Sequence, residues 1–184
     1  MTEIASPGQL RAAFLRWALV CVPGLLLLGF LSGSAAESGP GNRWFDALVK
    51  PAIYPPPAAF GIVWSALYVL MGLALAMVIS ARGAAGRSLA IAAFIVQLLL
   101  NLAWSPVFFG AHQITGGLIL IAVLDAAVAV TIFCFARVRP LAAWLLTPYL
   151  AWALFATLLN WQFLAANPDA EGRDVTGAVQ RIEF

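Results

Sequence analysis

Trp44-Phe45-Asp46-Ala47-Leu48-Val49-Lys50-Pro51-Ala52-Ile53-Tyr54-Pro55-Pro56 is a proline-rich stretch with a single lysine. It feeds straight into an apolar run containing Trp64-Ser65-Ala66-Leu67-Tyr68 and Met71-Gly72. Trp64, Tyr68 and Met71 follow i, i+4, i+7 and share one face of a helix. Irregular backbone is tolerated at membrane depth only where it caps a cavity or lies outside the hydrocarbon. The stretch therefore reads as a lid, with Lys50, Pro51, Pro55 and Pro56 as its lid residues.

Composition decides the solvent around that helix. Hydrophobic residues make up 63% of the 184 and charged residues 10%, with mean hydropathy +0.95. A soluble domain carries about 25% charged residues, so this chain has too few to cover a water-facing surface. Spanning helices need about 20 apolar residues, and five runs qualify, at 14–34, 58–81, 89–109, 116–136 and 141–165. Period-2 alternation, the mark of a membrane barrel strand, is absent from these runs. The fold class is all-α integral membrane: a five-helix transmembrane domain over 14–165, between an N-terminal tail (1–13) and a polar C-terminal tail (166–184). The tail's polar, glycine-containing composition predicts disorder.

Charge sidedness supplies an orientation. Five spans put Arg11, Arg16, Arg82, Arg87, Arg137 and Arg139 on one side, against Arg43 and Lys50 close to the membrane on the other. The positive-inside rule then predicts a cytoplasmic N-terminus, with residues 44–57 outside. The net charge of +2 is topological in meaning and no sign of nucleic-acid binding. Arg11, Arg16, an apolar run and Ser32-Gly33-Ser34-Ala35-Ala36 together have the layout of a cleaved signal peptide, but the apolar stretch is longer than a usual signal core and reads as a span. Cys21 and Cys134 read as small buried hydrophobes.

The other spans carry stripes of the same kind. Gln97, Asn101, Trp104 and Phe108 share a face of the third. Tyr149, Trp152, Ala156, Leu159, Asn160 and Phe163 share a face of the fifth. Amides in lipid turn inward and bond either to another helix or to something bound, and both readings stay open for Gln97, Asn101 and Asn160. Of the seven tryptophans, Trp17, Trp44, Trp144 and Trp161 suit the interfacial belt. Trp64, Trp104 and Trp152 lie on the stripes, where an indole N–H needs an internal partner or a ligand. Ala156 between Trp152 and Asn160 leaves room for a flat, mostly apolar guest. Asp125, alone in the fourth span, reads either as a structural hydrogen-bonding group or as a functional carboxyl. No cluster of metal-ligand type, catalytic triad, phosphate loop or dinucleotide fingerprint is present, and no metal or cofactor is required.

Three ordered blocks between residues 44 and 163 carry a family resemblance. They are the stretch from Trp44 to Gly72, then Gln97-Leu98-Leu99-Leu100-Asn101-Leu102-Ala103-Trp104 with Phe108-Phe109-Gly110, and Pro148-Tyr149-Leu150-Ala151-Trp152 with Ala156-Thr157-Leu158-Leu159-Asn160. The chain resembles the tryptophan-rich sensory protein / translocator protein (TspO/MBR, peripheral benzodiazepine receptor) family, bacterial type. The resemblance implies that Trp64, Tyr68, Asn101, Trp104, Trp152, Ala156 and Leu159 line a pocket for porphyrins such as protoporphyrin IX or haem, under the lid. It also implies that Trp64 and Trp152 act where light-dependent porphyrin breakdown occurs, and that the protein is a homodimer. Gly29-Phe30-Leu31-Ser32-Gly33, and more loosely Ala122 with Ala126, fit a small-residue dimer motif.

Some positions depart from the family pattern. Pro57-Ala58-Ala59 replaces an aromatic that many members carry in the loop, and Gly116 or Gly117 stands where animal members carry a tryptophan. At the end of the fifth span, Trp161-Gln162-Phe163 with no basic residue before Arg173 does not support sterol transport. His112, the only histidine, lies in a loop, so metal-free porphyrin, or haem stacked without a strong axial bond, is expected.

Three functions follow as alternatives. The first is a porphyrin-binding membrane receptor or translocator acting in tetrapyrrole sensing or transport. Here the macrocycle would stack on Trp64, Trp104 and Trp152, with polar edges to Asn101 and Tyr68 and a propionate to Lys50. The second is a light- and oxygen-dependent porphyrin-degrading enzyme using Trp64 and Trp152. The third is a structural membrane subunit without a small ligand. The inner membrane of a bacterial cell is the expected location, with the outer membrane as the alternative.

Overall fold

A computed structural model describes residues 7–172. The elements are α1 (Pro7–Ala35), α2 (Arg43–Ala47), α3 (Pro57–Ser80), α4 (Arg87–Ser105) continued by a π turn (Pro106–Gly110), α5 (Ile114–Val138) and α6 (Pro140–Ala166). All but α2 are long and apolar enough to cross a bilayer, α4 together with its π turn. The chain is thus an all-α membrane bundle of five spans. α1 starts earlier than the expected residue 14, and residues 1–6 lie outside the described residues.

Local chemistry sets the boundaries. Pro57 and Pro140 open α3 and α6 at the first turn, where the missing N–H has no ladder partner to lose. Gly83 and Gly86, at φ +78° and +76°, make the left-handed turn between α3 and α4. The Arg87 guanidinium then donates to Val78 O and Ile79 O at the end of α3 (3.3 and 3.0 Å).

The arginine-bearing end of the bundle is packed solid. Met71, Val78, Phe94, Val128, Phe135 and Leu146 are fully buried there, and Phe94 stacks on Phe135 at 5.8 Å. Leu19, Ile62, Phe133 and Trp144 point outward, as they do when the surrounding solvent is lipid. α1 is built into this core. Leu25 is buried, Ser32 Oγ donates to Leu102 O at 2.6 Å, and α1 crosses α3 at Gly72. A Cβ on Gly72 would stand 2.7 Å from Val22 Cα. Gly29, one half of the small-residue dimer motif, faces its own chain: a Cβ there would meet the Tyr68 ring within 2.2 Å. Of the two cysteines, both free, Cys21 is buried and Cys134 half-buried.

Gly72→Ala forces α1 and α3 apart and costs about 1–3 kcal/mol, as overpacking usually does. Gly24→Ala in α1, where an added Cβ meets nothing within 4 Å, leaves the thermal midpoint of the detergent-solubilised protein unchanged. Equal midpoints for the two variants would contradict the close crossing.

Candidate functional site

The other end of the bundle is open. A chamber of about 680 Å³ lies between α1, α3, α4, the π turn, α5 and α6. Trp64, Tyr68, Asn101, Trp104, Trp152, Ala156 and Leu159 all line it. Four residues of the stripes join them or close beneath. Phe108, Asn160 and Phe163 are on the wall, whereas Tyr149 is fully buried below it and donates to Gln97 Oε1 at 2.9 Å. Gln97 is therefore an interhelical tie and does not reach the chamber.

Pro106 shapes one wall. It offers no N–H to the ladder of α4, which reopens wider: Ala111 N donates to Pro106 O at 2.8 Å and Gln113 N to Val107 O at 3.2 Å. The wide turn buries the adjacent Phe108 and Phe109 together, both on the chamber. Phe108 stacks on Trp104 (5.0 Å, 19°), while Phe109 meets it edge-on (5.8 Å). Phe60, one turn before Trp64, also lines the chamber and touches the Trp152 ring edge-on at 5.9 Å. Its i−4 spacing from Trp64 was the available signal, and it supplies an aromatic close to the Pro57-Ala58-Ala59 run. Gly117 admits tight packing, since a Cβ there would stand 3.0 Å from both Phe108 Cδ2 and Asn160 Oδ1.

Polar groups on the wall pair within the bundle where they can. Tyr68 Oη donates to Asn101 Oδ1 at 2.7 Å, and Asn160 Nδ2 to Ile114 O at 2.9 Å. Beside the chamber Thr157 Oγ1 donates to Asp125 Oδ2 at 2.7 Å, giving the lone carboxyl a structural partner. Buried, and without a hydrogen-bond partner among the described residues, are Trp104 Nε1, Trp152 Nε1, Asn160 Oδ1, Gln97 Nε2 and Asp125 Oδ1.

The cover differs from the expected lid. Residues 37–42, Phe45, Tyr54 and Pro57 line the chamber, whereas Lys50, Pro51, Pro55 and Pro56 do not. Lys50 closes the short α2 instead. Its Nζ donates to the carbonyls of Asp46 and Leu48 (3.1 Å each) and of Phe45, and lies 4.5 Å from the Phe45 ring centre. Burial lowers its pKa, partly opposed by the Asp46 carboxylate. The propionate role expected of Lys50 therefore competes with three carbonyls that hold the ammonium. At the other end of α2, Asn42 Oδ1 accepts from Phe45 N (3.0 Å) and Asp46 Oδ2 from Gly41 N (3.0 Å).

The segment after α6, expected to be disordered, folds back as a strap as far as Gly172; residues 173–184 lie outside the described residues. Asn167 Oδ1 accepts from Val49 N (2.8 Å), and Asn167 Nδ2 donates to Val49 O (3.0 Å) and Phe163 O (2.9 Å). The Glu171 carboxylate accepts from Thr115 N in the first turn of α5. Trp44, read from sequence as an interfacial anchor, is instead buried under this strap. It donates to Ala170 O at 2.9 Å and stacks on His112 at 4.8 Å. Trp17, Trp144 and Trp161 are exposed on the outside of the bundle.

Comparison with known proteins matches residues 19–165 to the model of the TspO/MBR family. The tryptophan-rich protein TspO of Chlorobaculum tepidum is 38% identical over 150 residues, covering 81% of this chain and 94% of the relative. The human translocator protein is 40% identical over 136 residues, 73% and 80% of the two chains. The tryptophan-rich sensory protein of Cereibacter sphaeroides is 36% identical over 147 residues, 77% and 91%.

Asn167→Ala removes the two bonds between the strap and Val49 and leaves the Trp44–Ala170 bond in place, a loss of about 1–3 kcal/mol once a buried partner is left unpaired. Hydrogen exchange at the Val49 amide should rise by about tenfold or more, with exchange in the Phe94–Phe135 core unchanged. Unaltered protection at Val49 would show that the strap does not hold the cover.

Proposed function

This chain belongs to the TspO/MBR family, and on that premise we propose that its chamber binds a porphyrin. The class is protoporphyrin IX or a related tetrapyrrole, and the role is membrane sensing or translocation. The observation that carries the reading is the meeting of Trp64, Trp104 and Trp152, from three different helices, on one chamber of about 680 Å³. That volume falls in the usual range for small-molecule sites, and indole faces suit a flat conjugated guest through offset stacking. Small Ala156, one turn after Trp152 on α6, leaves room beside that ring. Among the described residues the side chains on the lining that could meet an iron centre are Glu37, Tyr54 and Tyr68, and Tyr68 Oη is already bonded to Asn101, so the reading rests on stacking and needs no axial bond. The names of relatives, sensory protein and translocator protein, fit binding followed by signalling or movement. The positive-inside bias supports an inner-membrane location with the N-terminus in the cytoplasm.

A second reading rests on the same wall. Trp64 and Trp152 both border the chamber, where a photoexcited macrocycle in oxygen would find an electron donor. Appearance of breakdown products under illumination, lost in Trp152→Phe, would favour degradation over binding alone.

Titration of the purified protein with protoporphyrin IX in the dark, followed by tryptophan fluorescence, tests the main reading. Saturable quenching is expected, with Ala156→Leu weakening affinity by about tenfold, as overpacking of about 1.4 kcal/mol would. Linear quenching, identical in both proteins, would mean partition into detergent and would remove the porphyrin reading.

A further inference from the structure

Of the residues that border the chamber, Glu37 alone carries a charge. It stands on the cover, at the mouth, and is exposed. The cover's other charges, Arg43, Asp46 and Lys50, lie off the lining. Two of those three are engaged within the cover: Asp46 Oδ2 accepts from Gly41 N, and Lys50 Nζ is held by the carbonyls of α2. The Glu37 carboxylate has neither an ion pair nor a hydrogen bond among the described residues. Its place is therefore not explained by a contact within the chain.

The backbone makes glutamate an uncommon choice there. Ser38 N donates to Gly33 O at 3.0 Å and Glu37 N to Ser34 O at 3.2 Å, the pair of bonds that closes the end of α1. Between them Glu37 takes the left-handed conformation, with φ +49°. Glycine usually fills this position, because it has no Cβ to crowd the following carbonyl. The chain uses glycine for its neighbouring left-handed turns, at Gly39 and Gly41, yet keeps a charged side chain at Glu37 against the local strain. Strain of this kind collects at ligand sites.

A charge at the mouth acts through its field, and needs no fixed geometry to do so. Whichever way the side chain turns, the carboxylate stays within about a Debye length of the mouth, about 8 Å at physiological salt. Clefts with low-dielectric walls focus such a field, and no basic residue on the lining offsets it. We infer that Glu37 sets the charge preference of the chamber. It weakens binding of ligands that hold carboxylates at the mouth and favours flat apolar molecules whose rim is neutral or basic. This rests on the porphyrin reading and adds to it that the carboxylates of a porphyrin oppose its binding, while the macrocycle drives it.

The test compares protoporphyrin IX with its dimethyl ester, which has the same macrocycle and no ionisable carboxyl. Both are titrated in the dark against the full chain in an uncharged detergent. Glu37→Gln removes the charge and keeps the side-chain length; Glu37→Gly removes the charge and the backbone strain together. Thermal midpoints without ligand check that both variants fold. At low salt each variant should bind protoporphyrin IX about threefold to fivefold more tightly than the wild type, the size of two like-charge pairs about 8 Å apart in water. Affinity for the ester should change less than about 1.5-fold. In about 1 M salt, where the Debye length falls to about 3 Å, the gain for the free acid should vanish. Unchanged or weaker binding of the free acid by Glu37→Gln overturns the inference and leaves the porphyrin reading standing. So does an equal gain for the ester, or a gain confined to Glu37→Gly, which would make loop conformation the cause. Saturable binding of neither porphyrin by the wild type or the variants overturns the porphyrin reading, and this inference with it.

Discussion

A bilayer offers no water to a stranded donor or acceptor, and this constraint organises the whole molecule. Some polar side chains among the spans turn back on their own helix, as Thr131 does to Ala127 O and Ser65 to Gly61 O; those that pair across helices become the ties of the bundle. Tyr149 with Gln97 joins α6 to α4, Tyr68 with Asn101 joins α3 to α4, Thr157 with Asp125 joins α6 to α5, and Ser32 joins α1 to the end of α4. Apolar burial cannot do this alone, because lipid tails are as apolar as leucine; helices associate through close packing and hydrogen bonds instead. The close packing is supplied by Gly72 against Val22 and Gly117 against Phe108.

Two ends of the same bundle therefore have different characters. Where aliphatic residues and Phe94 face Phe135, the spans fill their own interior. Where indoles and small residues meet, they do not, and a chamber is left between the helices. The chamber is covered on its water side by α2 and residues 37–42; the strap holds that cover through Asn167 to Val49 and Ala170 to Trp44, and is itself anchored to α5 through Glu171 and Thr115. The cover's own cohesion is local: Asn42 and Asp46 at one end of α2, Lys50 at the other.

Much of this was legible in the sequence, for a physical reason. Apolar runs of spanning length and helical spacing are local properties, so the five spans and the Trp64–Tyr68, Asn101–Trp104 and Trp152–Ala156–Leu159 faces follow from reading along the chain. What escaped was set by contacts distant in sequence. Trp44 has the composition of an interfacial anchor, and only the strap more than a hundred residues later makes it a buried donor. Lys50 looks free beside a chamber until the three carbonyls of α2 are placed around it. The strap itself is polar and glycine-containing, which predicts disorder, yet Asn167 pairs with both backbone groups of Val49. Phe60 was readable, one turn before Trp64, but stands alone among prolines and alanines.

The central claim is that a porphyrin occupies the chamber rather than the surrounding detergent or lipid. The most direct measurement follows the indole N–H resonances of nitrogen-15-labelled protein as protoporphyrin IX is added in the dark. The account predicts that Trp64, Trp104 and Trp152 shift and saturate together. Trp17, Trp144 and Trp161, exposed on the outside of the bundle, should stay in place. Shifts confined to those outer tryptophans, or spread evenly over all seven without saturation, would contradict it.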